Sequence, residues 1–249
     1  LTCCLSSRTR PPGGHAVSKD SGYVFDLEAL PRITIEISVT EWNTMHRLLR
    51  QNVRYETNVR ADFIFDKNGA VERVANVGFR VRGSFFSKAI PQLHPPVYDS
   101  KRRNYIQAVH FRIGFGAFVK ERCFYGLKSL KLRCYRSDPL YAREVLSHDL
   151  LNRFGVRVPR ASYARLYLRM KEDVREYSLG VYTMLEPVDR LFLRSRYGDA
   201  AGSLWKCQTT KQGGEAALTN AVPLPPQVAG MESYSLDPGK NYYPTYDFK

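Results

Sequence analysis

The sequence predicts an α+β fold, a mostly antiparallel sheet layered with one major helix. Three observations carry this expectation. Apolar residues alternate with polar ones in several short runs, as half-buried strands require. One stretch, from Asp138 to Gly155, repeats its apolar residues with a helical period. The elements run as strands, the major helix, two more strands and a second helix, which is not the alternation of a βαβ protein.

Along the chain, Ile33 to Val39 alternates perfectly and reads as a strand, and Thr40 is expected to cap a helix with Trp42, Met45, Leu48 and Leu49 on one face. Val59, Ala61, Phe63 and Phe65 alternate again, and Asp66-Lys67-Asn68-Gly69 reads as a hairpin turn. The return strand holds Val77, Phe79 and Val81, with Arg80 and Arg82 on its other face. A long loop over 84–104 contains Pro91, Pro95 and Pro96 and ends in Lys101-Arg102-Arg103. Further strands are expected around Val109–Ile113 and Leu130–Leu132. Asp138-Pro139 opens the major helix, whose stripe is Leu140, Val145, Leu146, Leu150, Leu151 and Phe154, and Gly155 closes it. Ala161–Arg169 and Tyr177–Thr183 form a strand pair, followed by a helix over about Val188–Tyr197 and a short strand at Leu204-Trp205. Residues 208–249 are turn-rich, and no internal repeat is visible.

The chain has 249 residues, 43% hydrophobic, enough to bury a core, which excludes a disordered or collagen-like protein. No apolar run reaches the roughly 20 residues of a membrane-spanning helix. Thirty-eight Lys and Arg against 24 Asp and Glu leave a net charge of +14, which favours phosphate-bearing or acidic partners. Nucleic acid is not expected, because the cations are dispersed and no nucleic-acid motif is readable. The five cysteines show no zinc spacing and read as thiols rather than a disulfide framework, with a Cys123–Cys134 bridge as the alternative. Leu1-Thr2-Cys3-Cys4 is a partial lipoprotein pattern, and residues 1–31 are expected to be a flexible leader or signal remnant. That favours the cell envelope, with the spore coat or cytoplasm as alternatives.

Among residues that could carry chemistry, Arg80-Val81-Arg82-Gly83-Ser84 joins a tight glycine turn to two guanidiniums, a combination suited to phosphate. The alternative is a strand end with solvated arginines. Lys101-Arg102-Arg103 reads equally as a solvated charge run. Glu144, beside the helix stripe, could orient a basic side chain of an adjoining strand toward a ligand, or form a surface ion pair. His148 is either a base or a passive residue. No GxxxxGK[ST] loop and no GxSxG elbow exists.

Several segments together resemble the CotH protein kinases, named for a bacterial spore-coat protein. They are Asn76-Val77-Gly78-Phe79-Arg80-Val81-Arg82-Gly83-Ser84, the basic run before Tyr105, Phe124 to Leu132, and Asp138-Pro139-Leu140-Tyr141-Ala142-Arg143-Glu144. The set continues with Gly155 to Arg160, Leu179 to Asp189 and Gly202-Ser203-Leu204-Trp205-Lys206. The order holds from about residue 32 to 207, the extent expected for the amino-terminal kinase region. Residues 208–249 would then be a connector into a truncated second lobe.

The resemblance implies a kinase-like amino-terminal lobe that uses ATP and Mg²⁺ to phosphorylate Ser/Thr of coat or cell-surface proteins. It places Arg82, Gly83 and Ser84 near the nucleotide phosphates and makes Lys101 or Arg102 the strand cation. Glu144 becomes the helix glutamate that positions it, a catalytic residue, and Glu186 part of the hinge beside adenine. The family's later acidic motifs, an Asp loop leading to His-Asn and a Pro-Trp-Asp-x-Asp segment, do not occur, so no metal ligand is assigned. The expectation is a truncated kinase, its second lobe absent, without turnover as given; the alternative is a non-catalytic coat or envelope interaction protein.

Overall fold

The computed structural model describes residues 20–52, 56–83, 91, 93–94, 97–101, 104–136, 138–173, 175–198, 204–207 and 246–248. A one-turn helix α1 (Ser21–Val24) precedes β1 (Arg32–Ile37), α2 (Val39–Gln51) and the hairpin β2 (Val59–Lys67)–β3 (Ala70–Arg82). The short strands β4 (Val97–Asp99) and β5 (Asn104–Ile106) pair with each other inside the segment expected to be a loop. Then come β6 (His110–Gly114), β7 (Ser129–Arg133), α3 (Arg143–Arg153), β8 (Ala161–Met170), β9 (Glu176–Leu185) and α4 (Arg190–Tyr197). The chain divides into two units, residues 1–196 and 197–249. Within the second, β10 (Trp205–Cys207) and β11 (Tyr246–Phe248) form an antiparallel ribbon.

The expected α+β class and the positions of the seven barrel strands hold, but the sheet closes. Seven strands run in the order β1-β2-β3-β6-β7-β9-β8, and a parallel pairing of β1 with β8, Ile33 opposite Leu166 and Ile35 opposite Leu168, seals a barrel. The structure is thus a sheet-rich barrel where the resemblance implied a kinase-like lobe. Alternation explains the closure: one face of every strand is apolar, and closing the sheet buries that face with no exposed edge. Ile33, Ile35, Phe63, Phe65, Phe79, Phe111, Ile113, Leu130 and Leu132 are fully buried. Phe63 meets Phe115 and Phe124 edge-to-face at 5.3 and 5.1 Å. Val24 and Phe25, inside the span read as a leader, also belong to this core.

Local corrections have local causes. Ser38, not Thr40, caps α2: its extended backbone lets its Oγ accept the Glu41 N–H at 3.1 Å. The β2–β3 register slips by one residue between Ala61 and Phe63, where Asn76 adopts φ 54° and donates its N–H to Asp62 Oδ1. On β3, Gly78 leaves room for a close approach: a Cβ there would sit 2.5 Å from Ala117 Cβ and 2.9 Å from Asn58 Cγ. Gly78→Ala is therefore expected to cost about 1–3 kcal/mol through overpacking. A lowered urea midpoint with an unchanged slope would report it; an unchanged midpoint would show that the Ala117 loop yields freely.

The major helix departs most from expectation. It begins at Arg143 rather than after Asp138, because Tyr141 at φ 58° breaks the helical path. The N-cap is Ala142, without a side-chain cap, and Asp138 Oδ2 accepts the Arg143 N–H from outside the helix at 2.7 Å. Of the expected stripe only Val145 is buried; Leu140, Leu146, Leu150, Leu151 and Phe154 are exposed. The helix rests on the barrel by Val145 against Ala161 and Leu185, and by polar contacts. His148 Nδ1 donates to the Pro159 carbonyl at 2.7 Å, and Asn152 Nδ2 reaches the same oxygen at 3.5 Å.

Candidate anion-binding site

Three neighbouring strands carry basic residues at alternate positions: Arg80-Val81-Arg82 on β3, His110-Phe111-Arg112 on β6 and Lys131-Leu132-Arg133 on β7. Val81, Phe111 and Leu132 point into the core, so the basic residues share the outer face. Register gathers them. Arg80 lies opposite Arg112 and Arg112 opposite Lys131, while Arg82 lies opposite His110.

The electrostatics of this face are those of a site short of negative charge. Arg80 is 7% exposed; its Nη2 pairs with Glu56 at 3.0 Å, but its buried Nη1 has no partner. Burial holds the Arg82 guanidinium below its ordinary pKa, and repulsion from Arg133, Arg112 and Arg80 adds to it. Burial and then Arg80 act likewise on Arg112, whose Nη2 donates to Ser129 Oγ at 3.3 Å. Burial, helped by Arg133, Arg82 and Arg136, pushes His110 down to about 4, so it is neutral at pH 7. Its Nδ1 accepts the Cys134 N–H at 3.0 Å, which leaves the ring proton on Nε2. Cys134, a buried thiol 3.3 Å from that nitrogen, is pushed up to about 12 by burial. Neither Cys123 nor Cys134 is in a disulfide. An anion arriving here would meet converging donors and relieve like-charge repulsion.

Glu144 lies in the first turn of α3 and accepts from Arg133 Nη1 at 2.6 Å, so the helix glutamate and a strand cation do meet. Gly83, at φ 147°, ends β3 where a side chain would be strained. Lys101 is exposed on the turn after β4, its N–H donating to Asp99 Oδ1. Ser84 and Arg102 lie outside the described residues. Glu186 is buried and engaged: its carboxylate accepts from the Arg160 backbone, the Arg160 guanidinium and Arg196. Sequence reasoning missed Arg112 and Arg133. Their signal was the repeated cation–apolar–cation triplet on three strands, but nothing in one sequence shows that the three become neighbours.

In a second charged group, Glu36 and Asp62 pair with Arg73, Arg169 and Lys171, so each cation there has a carboxylate partner. Burial works against the charge of Asp62, but the Asn76 N–H, Lys171 and Arg73 outweigh it and hold the carboxyl below its usual range. Among the described residues no group of three His, Cys, Asp or Glu side chains could hold a metal ion. No helix among them is long and apolar enough to cross a membrane.

A sheet-rich α+β barrel with a cationic outer face and a glutamate-bearing helix beside it is the class that fold and site define. The family model described as CotH kinase protein matches residues 80–242, more than half of the chain, and the protein belongs to that family. No curated protein matches it.

Proposed function

We propose that this chain forms the ATP-phosphate-binding part of a CotH-type kinase whose acceptors are Ser/Thr of coat or cell-surface proteins. The observation that carries the reading is the Arg133–Glu144 pair beside a face of guanidiniums with an unpartnered buried Nη1. In protein kinases a strand cation contacts the nucleotide phosphates and a helix glutamate holds it in place. Here β3, β6 and β7 precede α3, and β8 and β9 follow it, so the cation lies on the strand before the helix. This order supports reading five of the barrel strands with α3 as the counterpart of a kinase amino-terminal lobe. We place the strand-cation role on Arg133.

The residues present fit the phosphates of ATP. Arg82, Arg112 and Arg133 would hold them by charge-assisted hydrogen bonds, Gly83 would let the backbone approach, and Glu144 would orient Arg133. ATP when bound supplies the transferable phosphoryl group. The described residues do not fit Mg²⁺, since they offer no group of three His, Cys, Asp or Glu side chains to hold it.

Titrating the 249-residue chain with a fluorescent ATP analogue tests the reading. Arg133→Ala, at a side chain 41% exposed, is expected to weaken binding about tenfold with the fold intact, as loss of one charge-assisted contact would. Glu144→Gln should weaken it less, since it frees Arg133 without removing it. Unchanged affinity in Arg133→Ala would move the cation elsewhere. Salt-sensitive binding to an acidic protein with no nucleotide dependence would favour a non-catalytic envelope or coat protein instead.

A further inference from the structure

Helix α3 sits on the barrel with its apolar side outward. Leu146, Leu150 and Phe154 follow one another at i, i+4 and i+8 along one ridge, and Leu151 flanks it. Val145, His148 and Asn152, half a turn away, face the sheet. Phe154 and Leu140 are each 82% exposed, against 3% for Val145. Six of the thirteen large apolar side chains exposed among the described residues lie on or next to this helix, with Val156 the sixth. A concentration of that kind on one element marks an interaction surface rather than scattered surface apolarity.

Charge identifies the occupant. Arg143, exposed, precedes Leu146 by three residues and Leu150 by seven, so it projects from within the apolar side. Arg153 borders the ridge but already pairs with Asp149, Nε to Oδ2 at 2.9 Å, and the exposed Arg157 follows just beyond the helix. A second copy packed antiparallel about Leu150 would set Arg143 against Arg157 of the other copy. Lipid would have to accept a guanidinium inside the apolar stripe, whereas helices lying in a membrane interface keep basic residues on the opposite face. A protein helix resolves both difficulties: its apolar side covers the ridge and its acidic side chains meet Arg143.

We infer that the outer face of α3, from Leu140 to Val156, is a docking surface for an amphipathic helix with an apolar stripe and acidic flanks. The contact is the helix-in-groove kind, set by apolar anchors at i, i+4 and i+8.

The test uses the whole chain and a fluorescein-labelled designed helical peptide with a leucine stripe flanked by glutamates. Its counterpart carries lysines at the same flanks. Fluorescence anisotropy is expected to show the acidic peptide binding at least about tenfold more tightly than the basic one. Leu150→Ser with Phe154→Ser should lose about tenfold or more, as removal of central anchors does. Arg143→Glu should reverse the preference between the peptides. Val71→Ser, at an exposed apolar residue of β3, should leave binding unchanged, and far-UV circular dichroism of each variant checks the fold. The inference is overturned if neither peptide binds the unmodified chain, if both bind equally, or if the serine pair has no effect. It is overturned too if phosphatidylglycerol vesicles co-sediment the chain through this face while the acidic peptide does not bind. A dimer in solution abolished by the serine pair would likewise replace the partner helix with a second copy.

Discussion

Glu186→Ala is expected to lower the unfolding free energy by about 3 kcal/mol, the largest loss from any single polar side chain described here. The carboxylate is 4% exposed and accepts four hydrogen bonds, from the Arg160 N–H at 3.0 Å, Arg160 Nε at 3.1 Å, Arg160 Nη2 at 2.7 Å and Arg196 Nη2 at 3.0 Å. It ties the residue before β8, the residue after β9 and helix α4 to one point. Through Arg160 Nη2 on Ser21 Oγ the tie extends to α1. Alanine would leave two guanidiniums and a backbone N–H facing a cavity without an acceptor. Breaking a fully buried pair costs about 3–5 kcal/mol; the arginine side chains are 22% exposed and can rehydrate in part, which sets the lower end. Glu186→Gln keeps one acceptor and the shape and should lose about half as much. Urea unfolding reads both. A loss below about 1 kcal/mol for the alanine variant would show that the clamp is replaceable.

Acid is expected to remove stability in a window set by His110. Its folded pKa is pushed from 6.5 to about 4, chiefly by burial and then by Arg133, Arg82 and Arg136. Between these values the unfolded chain binds the proton and the folded chain does not. Stability therefore rises with pH through the window, is fully present above about 6.5, and is lost as pH falls toward 4. The size is on the order of 3 kcal/mol. Asp26 and Asp62 are held below the usual carboxylate value, Asp26 chiefly by its hydrogen bond from Lys67, so their contributions disappear only at lower pH. His110→Gln should flatten the profile between pH 7 and 4.5 while retaining a slope below 4. A variant as steep as the parent between 7 and 4.5 would remove His110 as the cause.

The strands were legible because each needs only a local rule. Val77, Phe79 and Val81 alternate with Gly78, Arg80 and Arg82, and that alternation alone puts the guanidiniums on the face away from the core. Arg82-Gly83 was expected to contact phosphate or to be a strand end with solvated arginines, and Glu144 to orient a strand cation or to form a surface ion pair. The partner was not legible: Arg133 enters through the register of β7 and the seating of α3, both tertiary. The exposed ridge of α3 ran against the local rule. By that rule its apolar stripe would face the core, yet the helix docks through His148 and Asn152 on the Pro159 carbonyl and Glu144 on Arg133.

By itself the sequence determined the positions of the seven barrel strands, which face of each is apolar, the excess of cations and the resemblance to its family. Only the tertiary structure decided that the sheet closes through β1 and β8, that cations from three strands become one face, and which side of α3 meets the barrel. The reason is physical. Periodicity tells a residue which side of its own element avoids water, whereas neighbours are chosen by pairings between segments far apart in the chain. Arg32 to Ile37 find their parallel partners in Arg165 to Met170, and no local pattern in either segment names the other.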